Sequence, residues 1–305
     1  MADMMENDSF TFRVDRLREK MFAAGLPVYV FVDPLLRDPF DRSKWEGQRT
    51  SLQWHPITLR WRGLSKDQHP YFVQLPSSSH ELLETSLAIA ETQAENMDGL
   101  HSLCGWFASD ESPAALRLKL GQLMEYHLGF ARWFLRFFDP RVMCRLPGIM
   151  GREYRLAGVH GWWYLDRLKS VQHQEGAPGV EVVPPTDVQR AGIDRIGAVN
   201  LAFSQWCELE PDPPTTAFDQ LDAAMAKAQA LGLSLAAEAD CVAFALHRCL
   251  IHPQIEKHPR VAEWITKAAA GEEAYANVAA AADKKLWAEI QSGTWEKGLK
   301  ETRYG

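Results

Sequence analysis

The reading turns on WFLRFFDPRVM, residues 133–143. Trp133, Phe134, Leu135, Phe137 and Phe138 surround Arg136, and the run then stops on Asp139-Pro140-Arg141. A dense aromatic and aliphatic run of this kind predicts a strand. Asp139 before Pro140 predicts a helix start. The carboxylate accepts from the unsatisfied N–H groups of the first turn, and proline, which has no N–H to lose, fits the first helical position. Strand alternation puts Arg136 on the face of Phe134 and Phe138, where a guanidinium needs an acid: Asp139, or another at the end of the sheet. One reading is a bidentate arginine–carboxylate clamp that fixes strand end to helix start. The other is a ligand anion held at the helix N-terminus by Arg136 and Arg141.

Upstream, FRVDRLREKMFAA (12–24) has apolar positions at helical spacing, with Gly25 as a stop. PVYVFVD (27–33) predicts a strand that ends in Asp33-Pro34, and HPITLRW (55–61) and PYFVQL (70–75) predict two more. SSSHELLETSLAIAETQA (77–94) opens with serine caps on an amphipathic helix. HSLCGWFAS (101–109) follows as a strand, and DESPAALRLKLGQLMEYHL (110–128) as a helix with proline near its first turn. Beyond the opening stretch, PRVMCRLPGIM predicts a short helix and GVHGWWYLDRLKSVQHQ (158–174) a hairpin or edge strand. Strand–helix alternation from 70 to 147 predicts crossover units with some parallel pairing. The strands at 27–33 and 55–61 have no helix between them, so the sheet is expected to be mixed. Trp106, Trp133 and Trp162-Trp163-Tyr164 are expected on one sheet, where large aromatics bury most area.

EGAPGVEVVPP (175–185) is rich in proline and glycine and reads as a linker. Beyond it the strands stop. Helical stretches are expected at 186–206, 217–233, 236–252, 258–271 and 272–291. The expected architecture is an α/β lobe with a mixed sheet flanked by helices over 1–174, the linker at 175–185, and an all-α lobe over 186–305.

Composition sets limits on function. The chain has 305 residues, 46% apolar and 24% charged, enough to bury a large core without disulfides or metals. Its net charge is −7, which argues against nucleic acid bound through phosphate neutralisation. The charge is uneven: residues 1–173 hold 21 basic and 21 acidic side chains, whereas 174–305 hold 12 and 19, which suggests two units with different surfaces. No apolar run reaches bilayer length, so no membrane partner is expected. Cys104, Cys144, Cys207, Cys241 and Cys249 are odd in number and show no disulfide spacing. With MADMMENDSF, which lacks a signal-peptide pattern, they point to a reducing, cytoplasmic setting.

The sequence offers little that resembles a catalytic constellation. His247, Cys249, His252 and His258 lie close in sequence, but His247 and His252 are five apart and fall on different helix faces, so no metal or cofactor is expected. The chain has no Gly-x-Ser-x-Gly elbow and no phosphate-cradling glycine loop. Cys104 falls mid-strand and reads as core. Glu208/Glu210 and Glu272-Glu273 read as solvated loops and helix ends. No catalytic residue is assigned. Trp264, Trp287 and Trp295 sit in the helical lobe, and aromatic residues on a helical surface are common anchors of protein interfaces. They are the candidate partner-binding residues, with Trp295 expected to be the most exposed.

WFLRFFDPRVM resembles the FRFYDPRV signature of the type VI secretion effector chaperones, or adaptors, the family of domain of unknown function 4123. Its neighbours agree in order: VYVFVD ending in Asp33, PYFVQL, GWFAS before a Ser/Pro-led helix, the signature itself, then GWWYLD. The resemblance spans roughly residues 27–166 and reaches loosely to AQALGLSLAAEADCVAFAL. It implies a non-enzymatic protein that holds a toxic effector in the producing cell and loads it onto the secretion spike protein. Arg136, Phe137, Phe138, Asp139, Pro140 and Arg141 would then be structural support or partner contact. The alternatives are an immunity protein that blocks a toxin, or a cytoplasmic enzyme with an anion site at the helix start after Asp139.

Overall fold

The computed structural model describes residues 10–35, 37–40, 52–60, 64–76, 80–95, 101–128 and 131–295. The chain divides into two units, Met1–Thr186 and Asp187–Gly305. The division falls just past the stretch read as a linker, and the first three residues of that stretch, 175–177, belong to a strand.

The first unit is built around β1 (Val28–Val32), which is buried along its whole length. A strand achieves that only when both its faces are covered. Val28, Val30 and Val32 pack with Val14, Leu17 and Met21 of helix α1 (Phe10–Phe22) and with Leu82, Leu83 and Leu87 of helix α2 (His80–Ala94). Tyr29 and Phe31 point the other way. They meet Phe107, Phe72, Phe138 and Trp162 at centroid distances of 4.9–5.3 Å.

The sheet order is β2-β3-β1-β4-β8-β9-β7, with β2 Trp54–Pro56, β3 Tyr71–Leu75, β4 Leu103–Ala108, β7 Leu156–Ala157, β8 Gly161–Leu165 and β9 Val171–Ala177. Neighbours are antiparallel except the two-residue β7/β9 pair. The mixed sheet stands, but the expected parallel pairing takes another form. β3 and β4 both run antiparallel to β1 and flank it, so the α2 crossover between them skips a strand.

The β1/β4 register slips between Phe31 and Val32, which pair with Gly105 and Leu103 and leave Cys104 as the extra residue of a bulge. Gly105 has φ +133°, and a Cβ there would lie 2.3 Å from the Trp163 carbonyl oxygen. The bulge therefore needs glycine at this position. On the helix-covered face, Trp106 Nε1 donates to Ser86 Oγ at 2.9 Å, so its one polar atom is satisfied.

Four local expectations are corrected. The strand expected at 55–61 ends at Pro56, beyond which Leu59 N–H donates to the His69 ring (3.1 Å) instead of a ladder carbonyl, and residue 61 lies outside the described residues. The helix expected over 110–128 is α3 (Pro113–Met124), after which β5 (Glu125–Leu128) pairs with β6 (Ala131–Phe134) in a separate hairpin. Trp133 thus sits on that hairpin against Tyr126 (5.7 Å) and not on the main sheet. The strand read from the opening stretch stops at Phe134, and residues 137–139 form a turn.

The second unit is helical: α6 (Asp187–Leu209), α7 (Ala217–Ala230), α8 (Glu238–Leu250), α9 (Pro259–Ala269), α10 (Tyr275–Ala281) and α11 (Lys284–Ser292). The single helix expected over 272–291 is two, because Asp283 caps a new start by accepting from Leu286 N–H at 2.8 Å. Arg195 of α6 forks onto Asp222 of α7 at 2.8 and 3.2 Å, and Phe203 stacks on Phe218 at 3.8 Å. Among the described residues no helix is long and apolar enough to cross a membrane.

Candidate functional site

Leaving β6, the chain passes Leu135 and turns through Arg136–Asp139, where Asp139 N–H donates to the Arg136 carbonyl at 3.0 Å. It then enters α4 (Pro140–Met143) and α5 (Leu146–Met150). Phe137 and Phe138 are fully buried, set edge-to-face at 5.7 Å. Phe138 meets Phe31 of β1 at 4.9 Å and Phe137 meets Trp162 of β8 at 5.5 Å. These two rings anchor the turn to the aromatic face of the sheet, so they do not lie in a strand that also carries Arg136.

Asp139 is the N-cap of α4, as expected. Its Oδ1 accepts from Arg141 N–H at 3.0 Å. The same carboxylate receives the Arg141 fork, Nε at 3.0 Å and Nη2 at 2.8 Å. The bidentate fork is thus made by Arg141 inside the helix start and does not fix strand end to helix start, as the clamp expected of Arg136 would. Arg136 reaches elsewhere: its Nη2 donates to Asp33 Oδ2 at 2.7 Å and stands 3.8 Å from Asp139 Oδ2. Asp33 lies just beyond β1, where its backbone N–H donates to the Ser102 carbonyl (2.8 Å) and its Oδ1 accepts from Leu35 N–H (3.1 Å). The guanidinium of Arg136 also lies 5.8 Å from the Phe138 ring centroid.

Two aspartates and two arginines thus close a neutral cluster that ties the end of β1 to the turn before α4. Both carboxylates are buried, and the two arginines keep 28% and 29% of their side chains exposed. The carboxylates respond differently. Burial pushes Asp33 up more than Arg136 and the Leu35 N–H pull it down. Burial also acts on Asp139, but the Arg141 hydrogen bonds and the charges of Arg141 and Arg136 outweigh it and hold the carboxyl below its ordinary value. His101, buried beside them, is driven down to about 4 by burial, against the pull of Asp139. Next to it, burial and then the charges of Asp33 and Asp139 raise the Cys104 thiol far above its ordinary value. A thiol held protonated in this way is not an activated nucleophile.

The ligand place at the helix N-terminus is filled from within. α4 is a single turn, and its Arg141 N–H already points at Asp139. A helix this short has little dipole to offer a second anion.

The three tryptophans proposed for partner binding face inward to different degrees. Trp264 is 5% exposed, packed on Trp287 (5.9 Å) and Tyr275 (6.4 Å). It is a core residue, because the apolar face of α9 needs a large side chain there. Trp287 is half-buried on the His247 ring at 4.7 Å. Trp295 is also half-buried, set between His252 (5.2 Å) and His258 (5.4 Å), with its Nε1 donating to the Ile290 carbonyl. His247 Nδ1 meets the Tyr275 hydroxyl at 3.0 Å, so these histidines serve aromatic packing. Among the described residues no three His, Cys, Asp or Glu side chains are grouped as metal ligands would be.

Sequence reading missed His101, and it left the acid of Arg136 open between Asp139 and another at the end of the sheet, which is Asp33. The signal available for that acid was an aspartate ending an apolar strand, a place where a buried acid needs a cation. No family model, no curated protein and no solved structure matches this chain.

Proposed function

We propose that the protein is a non-enzymatic adaptor that holds a toxic type VI secretion effector in the producing cell and loads it onto the spike protein. The proposal rests first on the resemblance of Arg136-Phe137-Phe138-Asp139-Pro140-Arg141, with its neighbouring segments, to the effector-adaptor signature. The observation that carries it is the closed Asp33–Arg136/Asp139–Arg141 cluster. Within the signature Arg141 is spent on Asp139, and Arg136 on Asp33, which joins the end of β1 to the turn before α4. That is the use expected of a scaffold that must present surfaces rather than turn over a substrate.

The test is the secreted proteome of the native host with and without this gene. One large toxin should disappear from the medium while the spike protein and unrelated effectors remain. An unchanged secretome would overturn the proposal. Death of the deletion strain by its own toxin would favour the immunity reading instead.

A further inference from the structure

A groove of about 500 Å³ opens on the α/β unit. One wall is the end of α3 and the start of β5, with Gln122, Glu125 and Tyr126. The other is the segment 179–184 that follows β9. After the Val180 N–H closes a turn on the Ala177 carbonyl at 3.1 Å, Glu181, Val182 and Val183 make no hydrogen bond among the described residues. Pro184 biases Val183 toward extended backbone. Val182 lines the groove, and Val183 is 71% exposed. The result is a short strand-like edge with free backbone groups and exposed β-branched side chains, the kind of edge that accepts another strand.

The charges select the occupant. Lys119 is spent on Glu111 and on the Pro178 carbonyl (2.7 Å). Glu125 accepts from the Arg60 backbone N–H at 2.6 Å but has no cationic partner among the described residues. Glu181 has none either. Two carboxylates are therefore left without a counter-charge along a row of valines. A second copy of this chain would bring another Glu181 to the same edge, and like charges across a strand pair are unfavourable.

We infer that residues 181–183 and the groove beside them form a docking edge for an extended segment of a partner protein in which apolar and basic residues alternate. The segment adds as a strand: its backbone pairs with Glu181–Val183, its apolar side chains cover Val180 and Val182, and its basic side chains meet Glu181 and Glu125.

The test uses the full chain and a short synthetic peptide alternating valine and lysine, with a valine–glutamate peptide as control. Hydrogen exchange read by NMR should show the Glu181–Val183 amides protected by the lysine peptide only. Val183→Pro, which removes one backbone donor, and Glu181→Lys, which inverts one charge, should each weaken the lysine peptide roughly tenfold at low salt. Equal binding of the two peptides, absence of protection at these amides, or affinity unchanged in both variants would overturn the inference. A concentration-dependent dimer that the lysine peptide dissolves would assign the edge to a second copy instead. Failure here leaves the adaptor proposal standing, since the secretome reads that one separately.

Discussion

Arg136 and Asp139 sit three positions apart, yet the cluster uses them for different joints. Asp139 organises its own turn: cap, Arg141 fork and N–H acceptor are all within two residues. The cap was legible in the letters Asp-Pro, and the Arg141 fork was not. Arg136 closes onto Asp33 across a separation of 103 residues, and no periodicity reports such a distance. The difference in environment makes an ordering testable. Asp33 is a carboxylate that burial has under-compensated, whereas Asp139 is held ionised by its arginines. Asp139→Asn should therefore cost more stability than Asp33→Asn in urea melts. Arg136→Ala should cost about 2–3 kcal/mol, because it strands the buried Asp33 carboxylate while losing an arginine that is itself partly solvated. Gly105→Ala should be worse, at about 3 kcal/mol or more, since the methyl group meets a backbone oxygen in a region that L residues avoid. Equal melts for Gly105→Ala and the parent would contradict the bulge geometry.

At the scale of elements, β1 was readable because VYVFV is apolar at every position, and such a strand must be covered on both faces. The helices with clear caps were readable for the same local reason. β5 was missed because EYHL continues the apolar spacing of α3 and carries no proline or glycine to break it, and β6 was read only as the start of the opening strand. The hairpin is set by pairing between strands, not by local preference. The turn carrying Phe137 and Phe138 looked like a strand because aromatic density is a property of burial, and both rings are buried from a turn. Phe138→Ala should cost about 3–5 kcal/mol, as for a fully buried ring, and should loosen the seat of the Asp33–Arg136 pair. Trp264→Ala should cost clearly more than Trp295→Ala, whereas two surface-facing anchors would both cost little, because Trp264 is core and Trp295 a lid on two imidazoles. Comparing their thermal midpoints decides it.

For the whole molecule, each unit holds a histidine that prefers to stay neutral, buried in the first and half-buried in the second. His101 in the first and His247 in the second fall from 6.5 to about 4, both mainly by burial. Between those values the unfolded chain binds the proton and the folded chain does not, so stability is complete above the unfolded pKa and is lost as pH falls toward 4. Each site accounts for a loss on the order of 3 kcal/mol across the window. Urea midpoints near neutral pH and at about pH 5 should differ accordingly, and His247→Gln should flatten the response of the helical unit alone. The division into an α/β unit and a helical unit was visible in the Pro/Gly-rich stretch and the change of periodicity around it. The inward turn of Trp264 was not, because α9 has one apolar stripe and sequence alone does not say which unit member covers it.

The adaptor proposal is tested most directly by purifying the tagged protein from a lysate of its native host at moderate salt and identifying what it retains by mass spectrometry. The expected result is a large toxin recovered together with a spike protein. A toxin held through its catalytic domain with no spike protein, or no retained protein at all, would contradict the proposal.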